Sequence, residues 1–243
     1  LQAIGCAEAT RLLTELPGLP DHARPAPDAV TYVSVGDGTT SEGEFWESLN
    51  TASNAQLPVV YVVEDNGYAI SVPVEVQTPG GDISRLVESF PHLKVFRVDG
   101  TDIQASLAAM DEAVAYARSG EGPAFVHAKV TRPYSHSLSD DERLYKTAAE
   151  RADEAARDPI ARAAEFLLAE GLVTREQLDA IHASVDAEID AATDIALKAE
   201  RPARDTAGLY VYSPDVDVTA SSWDSEPATD GKPDTMVAAI NRT

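Results

Sequence analysis

Two short polar segments of this sequence contain the residue types that hold a divalent metal ion and a diphosphate. Residues 36–39, Gly-Asp-Gly-Thr, follow one apolar run, and residues 65–68, Asp-Asn-Gly-Tyr, follow another. The carboxylate of Asp37 and the side-chain oxygen of Asn66 are hard ligands suited to Mg²⁺, to which the irregular backbone after Asn66 can add a carbonyl. The glycines allow backbone N–H groups to approach phosphate oxygens closely.

The Gly-Asp-Gly tripeptide is weak evidence by itself, because Asp-Gly is a common turn. The second segment makes the pair more informative, since ligands of parallel sheets bind at the carboxyl ends of the strands. If the strands that precede Asp37 and Asn66 are neighbours, the two side chains can converge on one ion. A different Mg²⁺–phosphate enzyme on a similar sheet would also fit this pattern.

The segments around these residues alternate between short β-rich runs and amphipathic helical runs. Each strand candidate is largely apolar on both faces, which is typical of parallel strands covered by helices on two sides. This alternation predicts an α/β fold with a doubly wound, mostly parallel sheet. The predicted strands are 29–35, 58–64, 94–99 and 123–130, and the predicted helices are 1–13, 42–55, 83–90 and 102–119.

After residue 145 the pattern becomes purely helical. Asp158-Pro159 has the form of a helix start that Gly171 ends, and the segment beginning at Thr174 has the form of a capping box. We therefore divide the chain into an α/β domain, a helical extension, an acidic linker rich in Pro and Ser, and the start of a following region. Their bounds are 1–150, 151–201, 202–234 and 235–243.

Charge and composition restrict the classes of partner. The chain has 41 acidic and 19 basic side chains and a net charge of −22, so its surface repels nucleic acid and anionic lipid. No apolar run approaches the roughly 20 residues that a membrane helix needs. The single cysteine, Cys6, excludes an internal disulfide framework and fits a cytoplasmic location. We expect Cys6 to be a buried packing residue.

The longer sequence around the two segments resembles a known family. Residues 36–38, Gly-Asp-Gly, then 27 residues, then Asn66, have the spacing of the thiamine diphosphate motif. Residues 36–50 and 66–71 are similar to the alpha subunit of the decarboxylating component of 2-oxo acid dehydrogenase complexes. The similarity continues through 118–123, 136–141, Tyr145 and 158–160 to about residue 202.

The resemblance implies a set of residues that bind thiamine diphosphate and Mg²⁺. Asp37 and Asn66 would be the side-chain ligands of the metal, and Tyr68 would give its carbonyl. One departure is visible, because the family usually has asparagine where this chain has Asp65, which changes the local charge. Residues expected to contact the cofactor are Gly36, Asp37, Gly38, Thr39, Asn66, Tyr68, Ile70 and His136.

His136 lies in a polar loop after the last predicted strand. A lone histidine is usually a surface residue, but loops at this edge of a parallel sheet face the ligand crevice. The resemblance makes His136 the catalytic histidine, which contacts the cofactor phosphate and helps to pass on the acyl group. Asp140 and Tyr145 would order the loop, and Lys146, where the family has arginine, makes that order less secure.

The family's serine at the position of Ser137 is phosphorylated in mitochondrial relatives, and we expect no phosphorylation here. The other histidines have no convincing catalytic context, and His127, in a strand run, is expected to be core packing. They are His22, His92, His127 and His182.

By resemblance, the reaction is oxidative decarboxylation of a 2-oxo acid, with acyl transfer to a lipoyl-bearing acyltransferase. The sequence from Ser135 to Asp141 favours a dehydrogenase with a branched-chain substrate. Pyruvate and acetoin dehydrogenases of the same family are the alternatives. A beta subunit or beta region would supply the glutamate that activates the aminopyrimidine, in an α₂β₂-like assembly. Residues 235–243 resemble a beta-subunit start, so we expect a fused alpha–beta parent. A non-catalytic, cofactor-binding half-subunit is the other class of function.

Overall fold

The computed structural model describes residues 1–213, 215–217, 219–224 and 235–240. Four parallel strands form one sheet in the order β1-β2-β6-β5, and a separate pair, β3 and β4, is antiparallel. The strands are β1 Thr31–Gly36, β2 Val59–Asp65, β3 Tyr68–Ala69, β4 Val72–Pro73, β5 Lys94–Asp99 and β6 Ala124–Lys129.

The helices that cover the sheet agree with the predicted segments to within a few residues, because an apolar stripe marks each of them and a side-chain cap begins two of them. The Asp102 side chain, for example, accepts the N–H groups of Gln104 and Ala105 at the start of the fifth helix. The α-helices are α1 Gln2–Glu15, α2 Gly43–Asn54, α3 Val74–Gln77, α4 Ile83–Val87, α5 Ile103–Arg118, α6 Ala148–Ala156, α7 Pro159–Ala169, α8 Arg175–Lys198 and α9 Met236–Ile240.

Strand β2 is apolar on both faces because it is covered on both. Its residues Val59, Tyr61 and Val63 pack in one core cluster with residues of α1, α2 and α4. The alternate residues Val60 and Val62 pack in a second cluster with the alanines of α5. The predicted α/β fold with helices on two faces of a parallel sheet is confirmed.

The strand register brings the polar strand ends to one edge. Gly36 of β1 lies beside Glu64 of β2, and Asp65 of β2 lies beside Lys129 of β6. Asp37 and the residues after Asp65 therefore leave the sheet at the same edge, as expected if Asp37 and Asn66 bind one ion.

Cys6 is exposed, so the prediction that it is a packing residue is wrong. Helix α1 buries Ile4 and Ala7, three residues apart on one face. A residue two positions after Ile4 lies about 200° around a helix of 3.6 residues per turn, and so points away from that face.

The chain divides into two compact units, residues 1–180 and 181–243. The second unit contains most of α8, with Ile181, Val185 and Ile189 exposed along one stripe. Between α8 and α9 the described residues include 3₁₀ turns at Arg204–Gly208 and Ser221–Trp223. The linker and the following region lie partly outside the described residues, and the domain bounds stay a prediction.

In the described part of the chain, none of the helices has both the length and the apolar character needed to span a membrane.

Candidate metal and diphosphate site

Asp37 is a buried carboxylate at the carboxyl end of β1. Its side chain is 2% exposed, and Oδ2 accepts a hydrogen bond from Gln77 Nε2 at 2.6 Å. Burial and the charge of Asp65 raise the pKa of Asp37, although hydrogen bonds from its own backbone and Gln77 and the charge of Lys129 lower it. None of the ion pairs among the described residues includes Asp37. A cation bound here would relieve the cost of this buried charge.

The backbone after β2 presents oxygen atoms to the same edge. The Asn66 side-chain oxygen accepts the Tyr68 N–H at 3.1 Å and keeps a second lone pair for a ligand. The Val74 N–H donates to the Gly67 carbonyl at 2.8 Å, so these two residues form a hydrogen-bonded pair. Along an antiparallel ladder, hydrogen-bonded pairs alternate with pairs that are not hydrogen-bonded. The next pair, Tyr68 with Pro73, is therefore not hydrogen-bonded, and the Tyr68 carbonyl points away from β4.

The two strand ends touch at a glycine. A Cβ atom added to Gly38 would lie 2.8 Å from the Cβ of Ala69, so only glycine permits this approach of the β1 loop to the β3–β4 hairpin. Ser41 strengthens the contact because its hydroxyl donates to the Gln77 carbonyl at 3.2 Å, and Gln77 in turn holds Asp37. The structure thus brings Asp37, Gly38 and the hairpin together.

The donor set fits Mg²⁺, which uses a few protein oxygens together with phosphate oxygens. It offers one carboxylate, one amide oxygen and one backbone carbonyl. The described residues contain no cluster of three or more His, Cys, Asp or Glu that could hold a metal. A 3₁₀ turn, Asp37–Ser41, follows Gly36. Because its hydrogen bonds join residues three apart, the N–H group of Gly38 has no partner within the turn.

Ile70 forms the tip of the β3–β4 hairpin in a left-handed conformation, with φ +56°. Such a conformation is an outlier for a β-branched residue, and residues in strained conformations of this kind are found mostly at active sites and ligand sites. Its side chain is 53% exposed. Contact between Ile70 and the cofactor rings stays a prediction.

The structure accounts for the charge at Asp65. The His127 ring nitrogen Nε2 donates to Asp65 Oδ2 at 2.7 Å, and Lys129 Nζ donates to the same oxygen. Burial would raise the pKa of Asp65, but hydrogen bonds from His127, Lys129 and Gly67 and the Lys129 charge lower it to about 2. His127 is buried as expected, yet it pairs with a carboxylate rather than serving only as packing.

Asp140 orders the loop that carries His136. Its Oδ2 accepts the His136 N–H at 2.8 Å and the Tyr145 hydroxyl at 2.6 Å, and Arg132 donates to that hydroxyl at 2.7 Å. The side chain of His136 is exposed. Among the described residues, no hydrogen bond joins its ring to the loops of Asp37 and Asn66, so its catalytic contact stays a prediction.

The loop is tied to the hairpin through an aromatic contact. The rings of Tyr68 and Tyr145 lie 5.6 Å apart, and the Lys146 ammonium lies 5.2 Å from the Tyr68 ring. Lys146 is buried and pairs with Glu154 at 2.6 Å. Lys146 also donates to the Arg132 carbonyl at 3.2 Å, so it does contact the loop, and the expectation that lysine orders the loop less securely than arginine stays a prediction.

Sequence reasoning missed Gln77, Arg132 and the pair of Lys146 with Glu154. Their partners lie 40, 13 and 8 residues away along the chain, and none belongs to a spaced motif. Arg132 has two buried nitrogen atoms, Nε and Nη1, without a hydrogen-bond partner in the described structure. Only the fold reveals these contacts.

Comparison with known proteins gives a consistent result. The family described as "Dehydrogenase E1 component" matches residues 5–204. The pyruvate dehydrogenase E1 component subunit alpha of Mycoplasma pneumoniae is 36% identical over 168 residues, which cover 68% of this chain and 46% of the relative. The 3-methyl-2-oxobutanoate dehydrogenase subunit alpha of Mycobacterium tuberculosis is 37% identical over 172 residues, covering 71% and 43%.

A third relative is the chloroplastic pyruvate dehydrogenase E1 component subunit alpha-3 of Arabidopsis thaliana. It is 37% identical over 177 residues, which cover 73% of this chain and 41% of the relative. The chain spans less than half the length of these curated relatives. The matched region contains both strand ends, the hairpin and the His136 loop, and on this match the chain belongs to the dehydrogenase E1 component family.

Proposed function

We propose that this chain supplies the magnesium and diphosphate half of the active site of a thiamine-diphosphate-dependent 2-oxo acid dehydrogenase. The observation that carries the proposal is the convergence of two strand ends on a buried carboxylate, Asp37, whose charged form the fold disfavours. Membership of the dehydrogenase E1 component family supports it. The relatives' names include both pyruvate and 3-methyl-2-oxobutanoate dehydrogenases.

In this proposal the chain's own residues bind and orient. Asp37, Asn66 and the Tyr68 carbonyl hold Mg²⁺, and the N–H groups of Gly38 and Thr39 bind the diphosphate. Bound thiamine diphosphate supplies the electron sink for decarboxylation. The ordered loop from Arg132 to Tyr145 offers the His136 ring to the cofactor phosphate and the acyl group.

The proposed substrate is a branched-chain 2-oxo acid, favoured by the text of the His136 loop. Pyruvate is the second candidate, because relatives of both kinds match at almost equal identity. The proposed partners are a beta subunit or beta region and a lipoyl-bearing acyltransferase, in an α₂β₂-like assembly. A cytoplasmic location is also part of the proposal.

Turnover by the complete enzyme tests this function. The complete protein, with thiamine diphosphate, Mg²⁺ and a lipoyl domain, is expected to decarboxylate 3-methyl-2-oxobutanoate with a higher kcat/KM than pyruvate and to acylate the lipoyl group. A higher kcat/KM for pyruvate would contradict the proposed substrate but not the proposed reaction. Cofactor binding without decarboxylation of either acid and without cleavage of acetoin would support a non-catalytic half-subunit and contradict the proposal.

A further inference from the structure

A buried polar cluster joins the ends of β2 and β6 beside the proposed metal site. It consists of Asp65, His127 and Lys129, and the first two are only 1% and 3% exposed. A buried carboxylate and a buried imidazole are costly unless each is paired. The proposed ligand set does not include any of the three.

The Asp65 carboxylate bridges the sheet and the turn that follows. Its Oδ2 accepts hydrogen bonds from His127 Nε2 at 2.7 Å and from Lys129 Nζ, both on β6. Its Oδ1 accepts the N–H of Gly67 at 2.9 Å. The backbone carbonyl of Asp65 accepts the Val130 N–H at 2.9 Å. The two oxygens therefore link β6 to the residue that follows Asn66.

His127 is held from its other side as well. Its Nδ1 lies 3.4 Å from Asp82 Oδ1, and Asp82 caps α4 by accepting the Ser84 N–H at 3.0 Å. Ser84 in turn accepts a hydrogen bond from Arg97 at 2.7 Å. The imidazole is thus fixed between two carboxylates, and rotation of the ring would break contacts with both.

We propose that His127 and Lys129 are positioning residues that act through Asp65 to fix the turn presenting Asn66 and the Tyr68 carbonyl to the metal. The inference rests on the proposed function. A carboxylate held by two donors of β6 does the positioning. Partners behind metal ligands typically change metal affinity by about 10-fold to 100-fold when they are removed.

The test compares substitutions that remove or retain one hydrogen bond. His127→Leu removes the donor to Asp65, whereas His127→Gln keeps a nitrogen donor near the position of Nε2. Calorimetric titration of Mg²⁺–thiamine diphosphate into the complete protein is expected to show about 10-fold weaker binding for His127→Leu, with most of it restored in His127→Gln. His182→Leu, on the exposed surface of α8, serves as the matched histidine control and is expected to leave the affinity unchanged.

A second substitution covers the case in which His127→Leu does not fold. Lys129 is half exposed, so Lys129→Met removes the other donor without a cavity in the core. It is expected to weaken binding several-fold, and Lys129→Arg, which keeps a donor, is expected to weaken it less. Unchanged affinity in both His127→Leu and Lys129→Met, or equal losses in His127→Leu and His127→Gln, would overturn the proposal.

A measurement without cofactor separates this inference from the proposed function. The Gly67 amide donates to Asp65, and its hydrogen exchange in the cofactor-free protein is expected to be faster in Lys129→Met than in the wild type. Unchanged exchange would contradict the positioning role. If the wild type does not bind thiamine diphosphate but Gly67 exchanges faster in Lys129→Met than in the wild type, the proposed function alone would be contradicted.

Discussion

Asp37 and Asp65 lie at the carboxyl ends of neighbouring strands, yet their surroundings shift the two pKa values in opposite directions. Asp65 has three hydrogen-bond donors, and Asp37 has Gln77 and its own backbone. The pKa of Asp65 is therefore lowered to about 2, while that of Asp37 is raised. A carboxylate whose charge is satisfied within the protein suits a structural role, and one whose charge is disfavoured suits a cation.

Replacing Asp37 by asparagine is expected to stabilise the cofactor-free protein while removing a metal ligand. A raised folded-state pKa means that the stability linked to Asp37 is full below the unfolded value near 3.8 and is lost as pH rises through the folded value. At pH 7 the charged side chain therefore costs stability that Asp37→Asn recovers. Thermal unfolding without cofactor should show a higher Tm for the variant at pH 7, with the difference shrinking toward pH 3. A lower Tm at pH 7 would contradict this account.

Asp65 is expected to have the opposite dependence on pH. Its folded pKa of about 2 lies below the ordinary value of 3.8, so its contribution is present above pH 3.8 and is lost as pH falls toward 2. The difference corresponds to about 2 kcal/mol for a fully buried group. Urea unfolding between pH 4 and pH 2 should show a shallower loss of stability in Asp65→Asn than in the wild type. Parallel curves for the two proteins would show that the carboxylate is not paired as described.

At the scale of elements, the site depends on the contact between the β1 loop and the β3–β4 hairpin. Gly38→Ala would place two Cβ atoms 2.8 Å apart, and the neighbouring atom is the side chain of Ala69. We expect the hairpin to be pushed away and the affinity for Mg²⁺–thiamine diphosphate to fall by about 10-fold or more. Calorimetry on the complete protein measures the change.

The double substitution Gly38→Ala with Ala69→Gly is the matched control for this contact. Removing the Ala69 Cβ leaves 3.5 Å to the Ala69 Cα, an ordinary van der Waals distance, so most of the affinity should return. Ala69→Gly alone should have a small effect. Failure of the double variant to recover would mean that the loss in Gly38→Ala does not come from the contact with Ala69.

The elements themselves were largely predictable, and the hairpin was not. Apolar runs and caps located the four sheet strands and the major helices to within a few residues, because burial on two faces imposes those patterns. The two-residue strands at Tyr68–Ala69 and Val72–Pro73 are too short to show a period. The pairing of His127 with Asp65 required the strand order, since β6 lies between β2 and β5 although it follows both in sequence.

At the scale of the whole molecule, the residues of the candidate site all lie in the first compact unit, residues 1–180. The motif residues were recognisable because their spacing follows two neighbouring strand ends. The resemblance predicted that Asp140 and Tyr145 order the His136 loop, as they do. The attachment of this loop to the hairpin was not predictable, because it depends on Tyr145 and Lys146 contacting Tyr68 from a distant part of the chain. The preference for a branched-chain substrate rests on the sequence of the His136 loop alone, since pyruvate and branched-chain relatives match at almost equal identity.

The central claim is that Asp37 and Asn66 hold the metal that anchors a diphosphate. Calorimetric titration of thiamine diphosphate into the complete protein, with and without Mg²⁺, tests it most directly. The wild type should bind only with Mg²⁺, Asp37→Ala and Asn66→Ala should each lose at least about 10-fold in affinity, and Asp186→Ala on α8 should match the wild type. Binding that does not depend on Mg²⁺, or that is unchanged in Asp37→Ala, would contradict the account.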